Sequence, residues 1–405
     1  MLIRFTTALA LLAGAHAYPH GASSNHGSTL PLSLQMANSI MSRHQGILAS
    51  MSDRSSLLQA GFVQKTFRQL AEQYPDQPEI NLYTRASVDS VITTISNATL
   101  DTTFPLDRLS SGNGLFHAFQ ETRNATYKAA YEALLTSVHL QPRNNDGSLW
   151  YYVYPNYTYL DGMYSLTPFI TLYATSSNIT NTPAIDFVIR QLTLTYRHTL
   201  QPSNLLVHGY DASLRAPWAV QTTGASSIVW GRSLGWYCMA LIDTLELLPQ
   251  SAIKARVQLK RYFSAVMHAV VQAVDAKTGV WYQVVDQPGR EGNYVESSAS
   301  SMFVYALMKG VRMGFLDEEM YVGVAKRAYG YIKDTFVVQD GNGTLRWDGT
   351  VGVCSLNSSA TYQVSYGLIG VKRNCANCCV VLCYAALSSR KRVGRSGGRV
   401  GELRS

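Results

Sequence analysis

Charge is what this 405-residue chain has least of: Asp, Glu, Lys and Arg make up 15% of it, against 46% hydrophobic residues. Such a composition excludes a disordered or collagen-like chain and requires a folded globule. Long apolar runs are missing too. No stretch beyond the short N-terminal one reaches the roughly 20 residues of a membrane-spanning helix, so no membrane association is expected. Strand-like alternation is confined to residues 281–285, which argues against a sheet-built core. Cysteine is scarce in the body, where Cys238 and Cys354 stand alone, while Cys375, Cys378, Cys379 and Cys383 crowd into the C-terminal tail. That tail holds no histidine and no second C-x2-C pair at finger spacing, so no metal is expected, and nothing calls for a cofactor. The body pair leaves two readings open, one disulfide in an oxidising compartment or two unpaired thiols.

What charge there is gathers at one end. The formal net charge of +8 comes almost wholly from residues 364–405, where Lys372, Arg373, Arg390, Lys391, Arg392, Arg395, Arg399 and Arg404 face Glu402 alone. A nucleic-acid reader carries its basic stripe on the folded body, so no nucleic-acid partner is expected. At the other end, the positive start Met1 to Arg4, the apolar run Phe5 to Ala13 and the Ala15-His16-Ala17 cleavage pattern read as a secretory signal peptide over residues 1–17. Sequons at Asn97, Asn124, Asn156, Asn178, Asn342 and Asn357 fit a secreted, extracellular glycoprotein.

Between these ends apolar residues recur at helical spacing. The pattern predicts helices over 34–49, 57–74, 86–97, 113–120, 125–138, 161–175, 184–199, 229–248, 253–275, 297–314 and 318–336. The stripe Leu234, Cys238, Leu241, Leu245, Leu248 is plain, and Pro249 stops it. An all-α domain results, and periodicity alone leaves open whether its hairpins form a solenoid or a closed double ring. Trp150, Trp218, Trp230, Trp236, Trp281 and Trp347 fall in loops or at helix ends, a placement that favours a closed ring with an aromatic mouth.

Three segments carry candidate chemistry. In Trp150 to Phe169 an aromatic run leads into Asp161, which opens an apolar helix. Asp161 is either a helix cap or, ringed by Trp150, Tyr159 and Tyr164, a desolvated carboxyl able to hold a proton near neutral pH as a general acid. In HGYDAS, His208 and Asp211 sit in a loop, where an imidazole can bond a hydroxyl or serve structure alone. In WGRSLGWY, Arg232 lies between Trp230 and Trp236. Its planar fork suits a carboxylate and tryptophan suits a sugar ring, a pairing that fits an acidic sugar; otherwise Arg232 pairs with an acid of its own chain.

Five blocks in order give a more specific resemblance: YLDGMYSLTPF, HGYDAS, TGASSIVWGRSLGWYCMALIDTLELLP, TGVWYQVVDQP with GNYVESSASSMFVYALMKGVRMG, and RWDGTVGVC. From about residue 40 to Gln363 the chain resembles glycoside hydrolase family 105, the unsaturated rhamnogalacturonyl hydrolases. The resemblance implies an (α/α)6 barrel of six helical hairpins over residues 18–363. It also implies release of an unsaturated galacturonic acid from the non-reducing end of pectin-derived oligosaccharides by a monomer. Asp161 matches the acid/base carboxylate, Asp107 in FPLDRLSSGNG a second active-site carboxylate, and His208, Arg232 and Trp236 positions that contact the sugar. Tyr151 stands where many bacterial relatives have a histidine, and Tyr159 joins the substrate-facing aromatics. The implied reaction is hydration: Asp161 protonates C4 of the C4=C5 bond, then takes a proton from the water adding at C5, and the hemiketal opens. The alternatives are an unsaturated glucuronyl hydrolase for another polysaccharide, or a non-catalytic, unstable isoform.

The last alternative arises because residues 364–405 depart from the family, whose final helix closes the ring. Val364-Ser365 is encodable as GTGAGT, an intron-like start, so the tail is expected to be intron-derived or frame-shifted and the last hairpin incomplete or replaced. A helix burying roughly 500 Å² of apolar surface contributes on the order of 12 kcal/mol, as much as a whole domain's net stability.

Overall fold

Apolar stripes broad enough to bury whole helices, alternating with narrower ones, dictate a two-layer arrangement. The computed structural model describes residues 30–49, 56–176 and 182–350, with Gly352, Cys354 and Leu356 beyond them. The signal sequence, the sequons at Asn178 and Asn357, and the tail with its four cysteines lie outside the described residues.

Twelve α-helices follow in order among the described residues: α1 Leu32–Ser42, α2 Ser56–Gln73, α3 Pro78–Val91, α4 Ala98–Asp101, α5 Gly112–Thr122, α6 Ala125–Leu140, α7 Asp161–Thr175, α8 Thr182–Thr199, α9 Gly231–Leu247, α10 Ile253–Gln272, α11 Ser297–Arg312 and α12 Glu318–Phe336. A 3-10 helix, Leu106–Ser111, runs directly into α5. Each of the eleven expected helices has its counterpart. The expected 86–97 helix begins earlier, at Pro78, whose fixed φ suits a first turn, and ends earlier, at Val91. Short α4 and the 3-10 helix escape periodicity because neither is long enough to show a repeat.

Helices α2, α5, α7, α9 and α11 pack side by side as an inner layer, and each pairs with its sequence neighbour α3, α6, α8, α10 or α12 outside it. The inner members are buried nearly all round, as α9 and α11 show over most of their length. Outer α10 and α12 bury one stripe. Inner packing is close: a Cβ on Gly235 of α9 would lie 2.7 Å from Met302 Sδ of α11. These are five hairpins among the described residues. The last hairpin's completion falls outside them, although α1 packs on β4 (Leu345–Trp347), where Ser39 Oγ accepts from Leu345 N at 2.8 Å.

Strands are few and short. β1 (Tyr157–Tyr159) pairs antiparallel with β2 (Gly209–Asp211), and β3 (Val337–Gln339) with β4. Residues 281–285 are not a strand, contrary to their alternation: Tyr282 and Val284 make single bridges, to Val295 and Trp230. No neighbouring strand continues the ladder. Cys238 and Cys354 are both buried and not bonded to each other, Cys238 inside α9 and Cys354 against Trp230 and Val284. No described helix is long and apolar enough to cross a membrane.

Candidate active site

The β1–β2 ribbon places the central residues. Tyr159 pairs with Gly209, and Leu160 N donates to His208 O at 3.1 Å, so His208 is set beside the start of α7. Gly209 is required there: a Cβ would fall 2.6 Å from both Thr158 O and the Tyr159 ring. Asp161 is the first residue of α7, one past the cap position held by Leu160, and a carboxylate there also faces the positive end of the helix. Its Oδ2 accepts from the Ser233 hydroxyl, supplied by the first turn of α9, and lies 3.3 Å from His208 Nε2. Asp161 thus keeps 14% of its side chain exposed while the His208 side chain keeps 2%.

The 3-10 helix brings in Asp107. Tyr151 OH donates to Asp107 Oδ2 at 2.8 Å, and Leu106 N donates to Tyr151 O at 2.8 Å, locking the two segments together. Asp107 Oδ1 is buried with no hydrogen-bond partner among the described residues. Burial pushes the Asp107 carboxyl up from 3.8 to about 7, with the Asp161 charge adding to the rise and the Tyr151 bond opposing it. Burial thus raises the proton affinity of Asp107, a residue the aromatic run around Asp161 did not single out.

An aromatic wall adjoins the carboxyls. Tyr151 stacks on Tyr159 at 4.9 Å, and the His208 ring sits 5.1 Å from Tyr159 and 4.9 Å from Trp230. Trp218 meets Tyr157 edge-on at 5.1 Å. Tyr159 OH and Trp218 Nε1 are buried polar atoms without partners among the described residues, two donors suited to hydroxyl groups.

Two residues expected to contact sugar are engaged or buried within the chain. The Arg232 fork is already engaged by its own chain: Nε donates to Ser298 Oγ at 2.9 Å, and the terminal nitrogens to Gly352 O at 2.9 Å and Thr350 Oγ1 at 2.8 Å. Glu296 Oε1 lies 3.5 Å away with a fully buried side chain, so the pairing with an internal acid is the one realised. Trp236 is 2% exposed within α9, 5.4 Å from Phe62 and 4.6 Å from Tyr164, and these three rings form a floor beneath the carboxyls. Tyr164 faces downward as well, with Lys65 Nζ 5.1 Å from its ring centre, and so does not surround Asp161. Trp281 and Trp347 are fully buried, donating to Val270 O and Ser297 Oγ, and are not mouth residues.

Arg232→Lys is accordingly expected to destabilise the fold by about 1–3 kcal/mol, because an ammonium cannot serve Ser298, Gly352 and Thr350 together. Urea denaturation measures it; unchanged stability with a raised KM would restore the carboxylate role.

Sequence reasoning missed Ser233, and it placed Trp218 only among the six tryptophans of an aromatic mouth. Ser233 lies inside the quoted WGRSLGWY block beside Arg232 and carries no signal of its own. Trp218 gains meaning only once β1 and β2 pair. Among the described residues no group of three or more His, Cys, Asp and Glu is arranged to hold a metal ion.

A ring of helical hairpins with buried and half-buried carboxyls beside an aromatic wall defines the class as a helical-barrel glycoside hydrolase. The chain belongs to Glycosyl Hydrolase Family 88, whose profile matches residues 32–366. It is similar to a family 105 glycoside hydrolase structure from C. acetobutylicum ATCC 824, with TM-score 0.75 and 28% identity over 88% of this chain and 98% of that one. Protein Atu3128 of Agrobacterium fabrum is 34% identical over 177 residues, 42% of this chain and 74% of that protein. An unsaturated 3S-rhamnoglycuronyl hydrolase of Formosa agariphila is 24% identical over 51% of this chain and 53% of its own length.

Proposed function

We propose that the protein removes an unsaturated galacturonic acid from the non-reducing end of rhamnogalacturonan oligosaccharides by hydrating the C4=C5 bond. Unsaturated glycuronyl hydrolysis is supported by the family and by the rhamnoglycuronyl hydrolase among its relatives. The observation that carries the chemistry is the pair of unlike carboxyls: Asp107, whose carboxyl burial pushes up to about 7, and Asp161, held by Ser233 and His208 at the first turn of α7.

In this reading Asp107 delivers its proton to C4 as water adds at C5, and Asp161 accepts the proton that the water loses. Both bonds form on opposite carbons of the former double bond, and proton return from Asp161 to Asp107 resets the site. The product is a hemiketal at C5, which opens and releases the remaining sugar. His208 orients Asp161, while Tyr159 OH and Trp218 Nε1 supply hydrogen bonds to hydroxyls. Secretion through the N-terminal signal would bring the enzyme to polysaccharide outside the cell.

The test follows the loss of ultraviolet absorbance of the C4=C5 bond in an unsaturated galacturonyl-rhamnose disaccharide and in an unsaturated glucuronyl disaccharide. Turnover of the first alone supports the proposal; preference for the second overturns the substrate. The alkaline limb of kcat should fall with an apparent pKa of about 7, since Asp107 must carry its proton.

Stability shares this dependence. Asp107 binds its proton more tightly folded than unfolded, so the stability it contributes is present at low pH and lost as pH rises from 3.8 to about 7. Asp107→Asn should gain on the wild type across that window, by up to about 4 kcal/mol at the alkaline end. Denaturant midpoints at pH 5 and pH 8 measure it, and a difference independent of pH would contradict the assignment.

A further inference from the structure

The inner helices carry polar groups at both ends. Ser233 and Asp243 are ten residues apart on α9, about 15 Å at 1.5 Å per residue. Around Asp243, beneath the Phe62–Tyr164–Trp236 floor, lies a cavity of about 320 Å³ lined by residues of α2, α3, α5, α7 and α9. That volume falls at the small end of the ~300–1,000 Å³ range of small-molecule sites.

Most of its charge is compensated within the wall. Lys65 pairs with Asp243, Lys309 lies 2.5 Å from Asp243 and 2.6 Å from Glu246, and Arg85 lies 2.8 Å from Glu121. One guanidinium and three acceptors are left over. Arg68 lines the cavity with no hydrogen-bond or ion-pair partner among the described residues. Gln64 Oε1, Asn113 Oδ1 and His117 Nε2 are buried there, likewise without partners, and Gln64 as a whole is 2% exposed. The Gln64 amide is oriented by its nitrogen, which donates to Ser87 Oγ at 3.2 Å and turns the carbonyl inward. Burial, with the Arg68 charge, holds His117 down at about 3, so its ring is neutral and able to accept.

A free cation next to uncharged acceptors does not suit a metal ion, which Arg68 would repel. It suits a molecule bearing one carboxylate and several hydroxyls, because the carboxylate takes the guanidinium fork and the hydroxyls donate to the orphaned acceptors. We propose that this cavity is a second binding site, for a small polyhydroxylated carboxylate of hexuronate size, with its carboxylate on Arg68 and its hydroxyls on Gln64, Asn113 and His117. The assignment stands on the cavity alone and does not depend on the reaction at the other end of the ring.

The experiment is calorimetric titration of the full chain with sodium D-galacturonate and with D-galactose, its uncharged counterpart. Galacturonate should bind and galactose at least tenfold more weakly. Arg68→Gln should weaken galacturonate binding roughly ten- to a hundredfold, the range for a lost charged hydrogen bond. Gly114→Ala probes the opposite wall without touching a charge. Its Cβ would lie 2.4 Å from Gln64 Oε1 and displace that carbonyl, while alanine favours the helix, so the variant should fold and bind weakly. Circular dichroism confirms both folds. Wild-type affinity in both variants, equal affinity for galactose, or no heat from galacturonate in the wild type would each overturn the proposal.

Discussion

Asp161→Asn is expected to lower kcat by about a thousandfold while leaving the helical circular dichroism signal in place. Asparagine keeps the size of the side chain, and its amide can still meet the Ser233 hydroxyl, but it cannot accept the proton that the adding water loses. The cap position of α7 belongs to Leu160, so the helix start does not hang on the Asp161 carboxylate. Asp107→Asn provides the partner measurement, because it removes the proton that reaches C4. Loss of turnover in both variants with the fold intact supports two carboxyls with divided roles. Loss in Asp161→Asn alone would return both proton steps to Asp161. If Asp161→Asn loses its helical signal together with its activity, the residue serves the fold.

The largest effect on stability is expected far from the chemistry, at Asp243. Its carboxylate is 2% exposed, accepts from Tyr305 OH at 2.6 Å and pairs with both Lys65 and Lys309. Burial alone would push the Asp243 carboxyl up, yet the two ammonium groups hold it at about 2. Asp243→Ala leaves two buried cations facing each other with Glu246 as the nearest acid, and Glu246 keeps 38% of its side chain exposed. Removing one partner of a buried ion pair costs about 3–5 kcal/mol, and here a single deletion breaks two pairs. Urea denaturation of Asp243→Ala against wild type measures this, and a loss below about 1 kcal/mol would mean that water reaches the lysines.

The helical layer was legible in the sequence because it repeats. Apolar residues at i, i+3 and i+4 mark α7 and α12 to the residue and the other long helices within a few residues, α1 and α3 excepted, and the order of quoted blocks points to a ring. The aromatic run ahead of Asp161 and the HGYDAS block also mark the segments that meet at the site. Other features had no local signature. Lys65, Asp243 and Lys309 lie on three helices and look like ordinary charges on helix faces, so their burial together depends on how α2, α9 and α11 pack. Likewise the serines at the start of α11 carry no local sign of burial, yet each is fully buried, and Ser298 holds Arg232 in place.

By itself, the sequence determined the all-helical class, the positions of the helices and Asp161 and His208 as candidates, because periodicity and residue chemistry are local properties; Asp107 entered only through the family resemblance. Only the tertiary structure decided what surrounds those groups. A proton affinity depends on burial and on charges brought from distant segments: Asp107 is raised by desolvation beside Asp161, fifty-four residues away in sequence. A guanidinium binds whichever acceptors reach it first, and for Arg232 these are Glu296, Ser298, Thr350 and Gly352, brought by α11 and its neighbouring segments. The fork and the tryptophan beside it were visible in the chain; that one is tied and the other buried follows from packing alone.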